Sequence, residues 1–311
     1  MRKKILLPVD GSPAAQHALD YVGMMADQVI KDLSVCLFFV MKAVPDFMRQ
    51  EAKRDTAMHR RVSTMERSNL DQARRVLEEA KQRLLDHGMA EEAVETKATP
   101  RSSEVTRNII FEAEQGLYDA VALGRRNLSK AQEIFTGSTA NRVVQQSQRI
   151  PVWAIGTAAT SPKILVPVDG SDGALKAVDH MAFMLGGNPH TKITLLHVGA
   201  SWSNYCELDF SQEMAGEIEG HILESEQRCM GDFYGRAQKV LQDAGIDPDQ
   251  VETLEEEGRL GVVRAIVEHA EKGEFGTVVL GRRGEHKSFL LGHVADKVLA
   301  RLPEHAVWVV G

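Results

Sequence analysis

The chain has 311 residues, 43% hydrophobic and 26% charged, with a formal net charge of −7. That length predicts about two domains, and the composition is that of a globular protein with no apolar run near the roughly 20 residues of a membrane span. The net charge is about +3 up to Thr157 (23 Lys/Arg against 20 Asp/Glu) and about −10 beyond it (14 against 24), and the absence of a dense Lys/Arg stripe with interleaved aromatics argues against a nucleic-acid partner.

Ile5–Val9 is a short apolar run closed by Asp10-Gly11-Ser12 and reads as a strand. Ser12 before Pro13 is an N-cap followed by a first-turn proline, and Ala18, Tyr21, Val22 and Met25 recur at helical spacing, predicting a helix to about Ile30. Leu33–Val40 is the second strand. The polar region Asp46–His87 ends in a helix with apolar positions Leu70, Ala73, Val76, Leu77, Ala80, Leu84 and Leu85, stopped by His87-Gly88. Its first part, Asp46–Met65, is left open between a lid, an interface and a loose segment. Then follow a strand at Val94–Ala98, a helix at Ser103–Glu114, a strand at Tyr118–Leu123, a helix at Ser138–Gln146 and a strand at Val152–Ile155. The second half repeats the strands at Ile164–Val168, Ile193–Val198, Val251–Leu254, Thr277–Leu280 and Val307–Val310.

The repetition is literal. ILLPVDGS at 5–12 returns as ILVPVDGS at 164–171, LGRR at 123–126 as LGRR at 280–283, and PVWAIG at 151–156 as AVWVVG at 306–311. A period near 157 residues is domain duplication rather than a solenoid, and predicts domains at 1–157 and 162–311. Near-continuous apolar strands separated by helices predict α/β domains with open parallel sheets covered on both faces.

Cys36, Cys206 and Cys229 form no CxxC and no metal spacing, which suits a reducing cytoplasm, and Cys36 sits in an apolar run as a core residue. Arg2, Lys3 and Lys4 precede too few apolar residues for a signal peptide.

Ligands of open α/β sheets bind at the carboxyl ends of the strands, and the informative residues fall there. Asp10 follows the first strand, Val40 closes the second and Gly124 follows the fourth. Gly124-Arg125-Arg126-Asn127, nine residues, then Gly137-Ser138 leads from a strand into a helix. Glycines bring backbone N–H groups close to a guest, Ser138 caps the helix, and the helix N-terminus favours an anion; Arg125 and Arg126 add positive charge. A phosphate group is the implied ligand. Each residue also has a plainer reading: Asp10 as a turn residue capping a helix, Gly124 and Gly137 as turn glycines, Arg125 and Arg126 as solvated surface.

These motifs resemble the universal stress protein family, twice over and across essentially the whole chain. The resemblance implies a Rossmann-like open α/β sheet of strand order 3-2-1-4-5, and ATP, with Mg2+ as its companion, bound at the pattern G-x2-G-x9-G-[ST]. Carried over, Asp10 would contact the ribose–adenine part of ATP with Pro8 and Val9 beside it. The Val40 backbone would meet the adenine edge. Gly124, Arg126, Asn127, Gly137, Ser138 and Thr139 would surround the phosphates. The second copy offers Asp169, Val198, Gly281, Gly284 and Gly292.

Neither copy matches the pattern fully. In the first, Asn127 replaces the second glycine, and Asn tolerates positive φ better than other non-glycine residues. In the second, Gly281-Arg282-Arg283-Gly284 is intact, but only seven residues separate Gly284 from Gly292, and His293 replaces the Ser/Thr. Glu255–Glu257 adds negative charge near the third strand of that copy. The first domain is therefore expected to be the better ATP site. His197, matching Phe39, reads as a packing or site-edge histidine. No catalytic triad, HExxH or GxGxxG after the first strand is present. A slow ATPase or autokinase and a nucleotide-free interaction scaffold remain the alternatives to a nucleotide-gated binding module.

Val152-Trp153-Ala154-Ile155 and Val307-Trp308-Val309-Val310 are apolar edge strands with Trp at the same position, and such edges demand a partner. Family subunits resemble dimers joined through this strand, which implies that the two domains pair within the chain as a pseudo-twofold dimer. A further homodimer is compatible with the sequence.

Overall fold

The computed structural model describes residues 2–126, 139–199, 212–257, 261–283 and 291–311, excluding the side chains of 212–219, 222 and 257. In the first half, β1 (Lys3–Pro8), α1 (Pro13–Gln28), β2 (Leu33–Met41), α2 (Asp46–Ala52), α3 (Thr56–Asp86), β3 (Val94–Pro100), α4 (Val105–Gln115), β4 (Ala120–Gly124), α5 (Thr139–Gln146) and β5 (Val152–Ile155) follow one another. The second half contains β6 (Ile164–Val168), α6 (Asp172–Leu185), β7 (Ile193–Gly199), α7 (Gln212–Asp243), β8 (Val251–Glu257), α8 (Val262–Lys272), β9 (Thr277–Gly281), α9 (His293–Arg301) and β10 (Ala306–Val310).

The strands form one sheet of order β3-β2-β1-β4-β5-β10-β9-β6-β7-β8. Each half is thus the parallel 3-2-1-4-5 arrangement, and β5 pairs antiparallel with β10 with Trp153 opposite Trp308. Alternation along the strands supplies both faces. Ile5 and Leu7 join one buried cluster with α1, α3, α6 and α7, while Leu6 joins the other with α4, α5, α8 and α9. Both clusters contain residues of both halves, so apolar packing runs continuously past the β5–β10 junction. Cys36 is buried in the second cluster.

The repeated octet builds the same turn twice. Ser12 caps α1 by accepting from Ala15 N (3.3 Å), and Ser171 caps α6 by accepting from Ala174 N (3.1 Å). Gly11 and Gly170 both have φ +78°, a backbone region that glycine enters without strain.

The segment Asp46–Met65 is helical: α2 packs on the first part of α3, which Asp55 caps by accepting from Ala57 N (2.8 Å). Leu70, expected on the buried face of α3, is 44% exposed; α3 joins the main apolar cluster from Ala73 onward. No helix among the described residues is long and apolar enough to cross a membrane.

Candidate functional site

The direction of strand order reverses between β1 and β4, since β2 and β3 lie on one side of β1 and β4 and β5 on the other. The carboxyl ends of β1, β2 and β4 meet at this switch point, the position where ligands of open α/β sheets bind. Pro8 ends β1, and Val9 N donates to Phe38 O (2.9 Å), holding the ends of β1 and β2 level. Asp10 is exposed at the rim; its Oδ1 accepts from Ser12 N (2.9 Å). Its other carboxylate oxygen enters none of the hydrogen bonds among the described residues. Asp10 is therefore both a turn residue and a free acceptor. Val40 is half-buried one residue before the end of β2.

Gly124 closes β4 against the first turn of α1, and a Cβ there would overlap the Ala14 carbonyl. Its glycine is a packing requirement whether or not a ligand is present. Arg126 and Thr139 are exposed on either side of the loop. Asn127, Gly137 and Ser138 lie outside the described residues, as does Gly284 in the second half.

Arg125 departs from the sequence reading as charge for a phosphate. It is 7% exposed, and its guanidinium turns into the opposite half. There it donates to the carbonyls of Leu299 (2.5 Å), Leu302 and His305 (3.1 Å), at and just beyond the end of α9. Arg282, its repeat counterpart, is 4% exposed and donates to Val144 (2.7 Å), Gln145 (3.2 Å) and Ser147 at the end of α5. The sequence signal was present as the repeated LGRR, but spacing does not tell which way a side chain turns.

The second half differs at the same strand ends. Asp169 Oδ1 accepts from Ser171 N (3.1 Å) and Ser171 Oγ (2.6 Å), repeating the turn. Gly281 closes β9 against α6, where a Cβ would overlap the Gly173 carbonyl. Gly292 caps α9 without a side-chain acceptor, and its N–H donates to Arg282 O (2.8 Å). Beside Val198, His197 lies across the ends of β6 and β7: Nδ1 is 3.1 Å from Val168 O and Nε2 3.2 Å from Glu226 Oε1. In the first half the corresponding positions are Phe39, which is buried, and Asn69, which donates to Lys42 O (2.9 Å) instead. Glu255 lies next to His197 across the β7–β8 ladder, and Glu256 pairs with His269 at 2.5 Å. Burial, with the Glu255 charge behind it, pushes the Tyr234 hydroxyl up to about 12. A histidine–carboxylate contact and an acidic edge thus stand where the first half has an aromatic ring and an amide. Glu226 had no signal in the sequence, because its α7 position meets β7 only after folding.

Two α/β halves whose strand order reverses at the same turn define a tandem doubly-wound protein. The universal stress protein family model matches residues 1–156 and 161–311, and the chain belongs to that family. Among solved structures, a universal stress protein from Archaeoglobus fulgidus DSM 4304 is 20% identical with a TM-score of 0.64, over 99% of this chain and 97% of that chain. A protein of unknown function from Pseudomonas aeruginosa PAO1 is 14% identical with a TM-score of 0.54, over 99% and 92%. A universal stress protein family protein from Arabidopsis thaliana, solved with AMP bound, is 16% identical with a TM-score of 0.33, over 49% and 90%.

Proposed function

We propose that the chain is a cytoplasmic ATP-binding regulatory module made of two domains, 1–157 and 162–311, paired as a pseudo-twofold dimer through β5 and β10, with the first domain as the nucleotide site. The observation that carries this reading is the contrast between the two switch points. In the first, Asp10 keeps a free carboxylate oxygen just after β1, Val40 stands near the end of β2, and α5 begins at Thr139. A carboxylate oxygen at the end of β1 suits a ribose hydroxyl, and a backbone group near the end of β2 suits an adenine edge. A helix N-terminus has unpaired N–H groups for a phosphate. Arg126, Asn127, Gly137, Ser138 and Thr139 complete the phosphate side, with Mg2+ travelling on the nucleotide. In the second domain, Asp169, Val198, Gly281, Gly284 and Gly292 keep the scaffold. There the His197–Glu226 pair and the shorter loop disfavour a polyphosphate.

The test is nucleotide analysis of the intact chain after incubation with ATP and Mg2+. One ATP per chain, unchanged with time, is the expected result. ADP accumulating with time would replace this reading with a slow ATPase, and no uptake would replace it with an interaction scaffold.

A further inference from the structure

The two buried arginines do more than join the halves. A helix ends in carbonyls with no partner inside the helix and carries the negative pole of its dipole there. A guanidinium answers both needs, with several donors in a planar fork and a permanent charge. Arg282 supplies this to α5 from the other half, and Arg125 supplies it to α9 in return. The helix α5 spans Thr139–Gln146, so by the rise of about 1.5 Å per residue its capped end lies roughly 12 Å from its first residue. At the other end of the same short rod, at Thr139, is its positive pole.

We propose that Arg282 is a positioning residue for the first-domain phosphate end, so that the second domain completes a site it does not itself contain. The proposal rests on the reading of the first domain as the nucleotide site. Arg282 acts through α5 in two ways. It fixes the axial position of the helix by holding Val144, Gln145 and Ser147, and it neutralises the negative pole that would otherwise oppose an anion at Thr139. This role also explains how Gly281-Arg282-Arg283 serves the protein in a half whose own loop is short. The Gly292 N–H on Arg282 O ties that loop's end to the same residue.

The experiment uses the intact chain carrying Arg282→Gln, Arg282→Lys, or Asn188→Ala. Asn188 also crosses the halves, donating to Gln28 O and Val29 O rather than to α5, and serves as a control for a loosened junction. Readouts are ATP affinity by calorimetry, amide hydrogen exchange of Thr139–Gln146, and Tm. Arg282→Gln is expected to weaken ATP by about three- to tenfold and to speed exchange in α5, with Arg282→Lys intermediate. Asn188→Ala is expected to lower Tm with ATP affinity unchanged. Equal loss of affinity in Asn188→Ala and the Arg282 variants, or unchanged affinity in both Arg282 variants, would overturn the proposal. If the wild type takes up no ATP, the site reading itself falls. Faster α5 exchange would then make Arg282 a structural cap and nothing more.

Discussion

Tyr21 and His180 stand at the same position of the two repeats, and each accepts the indole N–H of the tryptophan belonging to the opposite half. Trp308 Nε1 lies 3.0 Å from Tyr21 Oη, and Trp153 Nε1 lies 3.2 Å from His180 Nε2. Between them the two indoles stack with centroids 3.9 Å apart and planes 3° from parallel. Both rings are wholly buried, so each N–H needs the acceptor it has found.

A pH dependence follows from this geometry. As acceptor, His180 Nε2 carries no proton, which assigns the neutral ring with its hydrogen on Nδ1. Burial pulls its pKa from 6.5 down to about 3. The unfolded chain takes up the proton near 6.5 and the folded chain holds it off until about 3. Stability from this group is therefore complete above pH 6.5 and is lost as pH falls through that window, by at most about 1.4 kcal/mol per pH unit. Urea midpoints at pH 7 and pH 5 should fall further for the wild type than for His180→Gln. Parallel losses in the two proteins would contradict this account.

Trp153 is the more costly half of that contact to remove. Trp153→Ala is expected to destabilise by about 3–5 kcal/mol, the range for deleting a large buried aromatic. Trp153→Phe keeps an aromatic against Trp308 but leaves His180 without its donor, and should cost about 1–3 kcal/mol. Chemical denaturation at pH 7 reads both. A Trp153→Phe loss as large as that of Trp153→Ala would mean the hydrogen bond, not the stack, dominates.

Gly124 separates a packing role from a binding role. Because a Cβ would run into the Ala14 carbonyl, Gly124→Ala should lower the stability of the nucleotide-free protein by about 1–3 kcal/mol. Thermal unfolding without nucleotide is the check. An unchanged Tm combined with weakened ATP binding would assign the glycine to the ligand alone.

The strands were legible because buried parallel strands are short apolar runs bounded by turn residues, and the duplicated VDGS turn announced its own cap. Side-chain direction was not legible. Arg125 lies beside the loop in sequence, yet the carbonyls that hold it belong to residues 299–305. Leu70 fits the helical period of α3, but it is exposed, and α3 joins the main apolar cluster only from Ala73 onward. Gly124 was readable as a phosphate-loop or turn glycine, but the atom that demands a glycine, the Ala14 carbonyl, arrives through packing of α1 on β4. The His197–Glu226 pair joins residues from β7 and α7 that no local pattern relates.

The central claim is that two similar halves hold one nucleotide site. Calorimetric titration of the intact chain with ATP and Mg2+, repeated for Asp10→Ala and Asp169→Ala with Tm recorded for each, tests it most directly. The account predicts one ATP per chain, binding weakened by at least about tenfold in Asp10→Ala, the scale of one lost hydrogen bond to a charged group, and unchanged in Asp169→Ala. Two equivalent sites, or loss of binding in Asp169→Ala with Asp10→Ala unaffected, would contradict it.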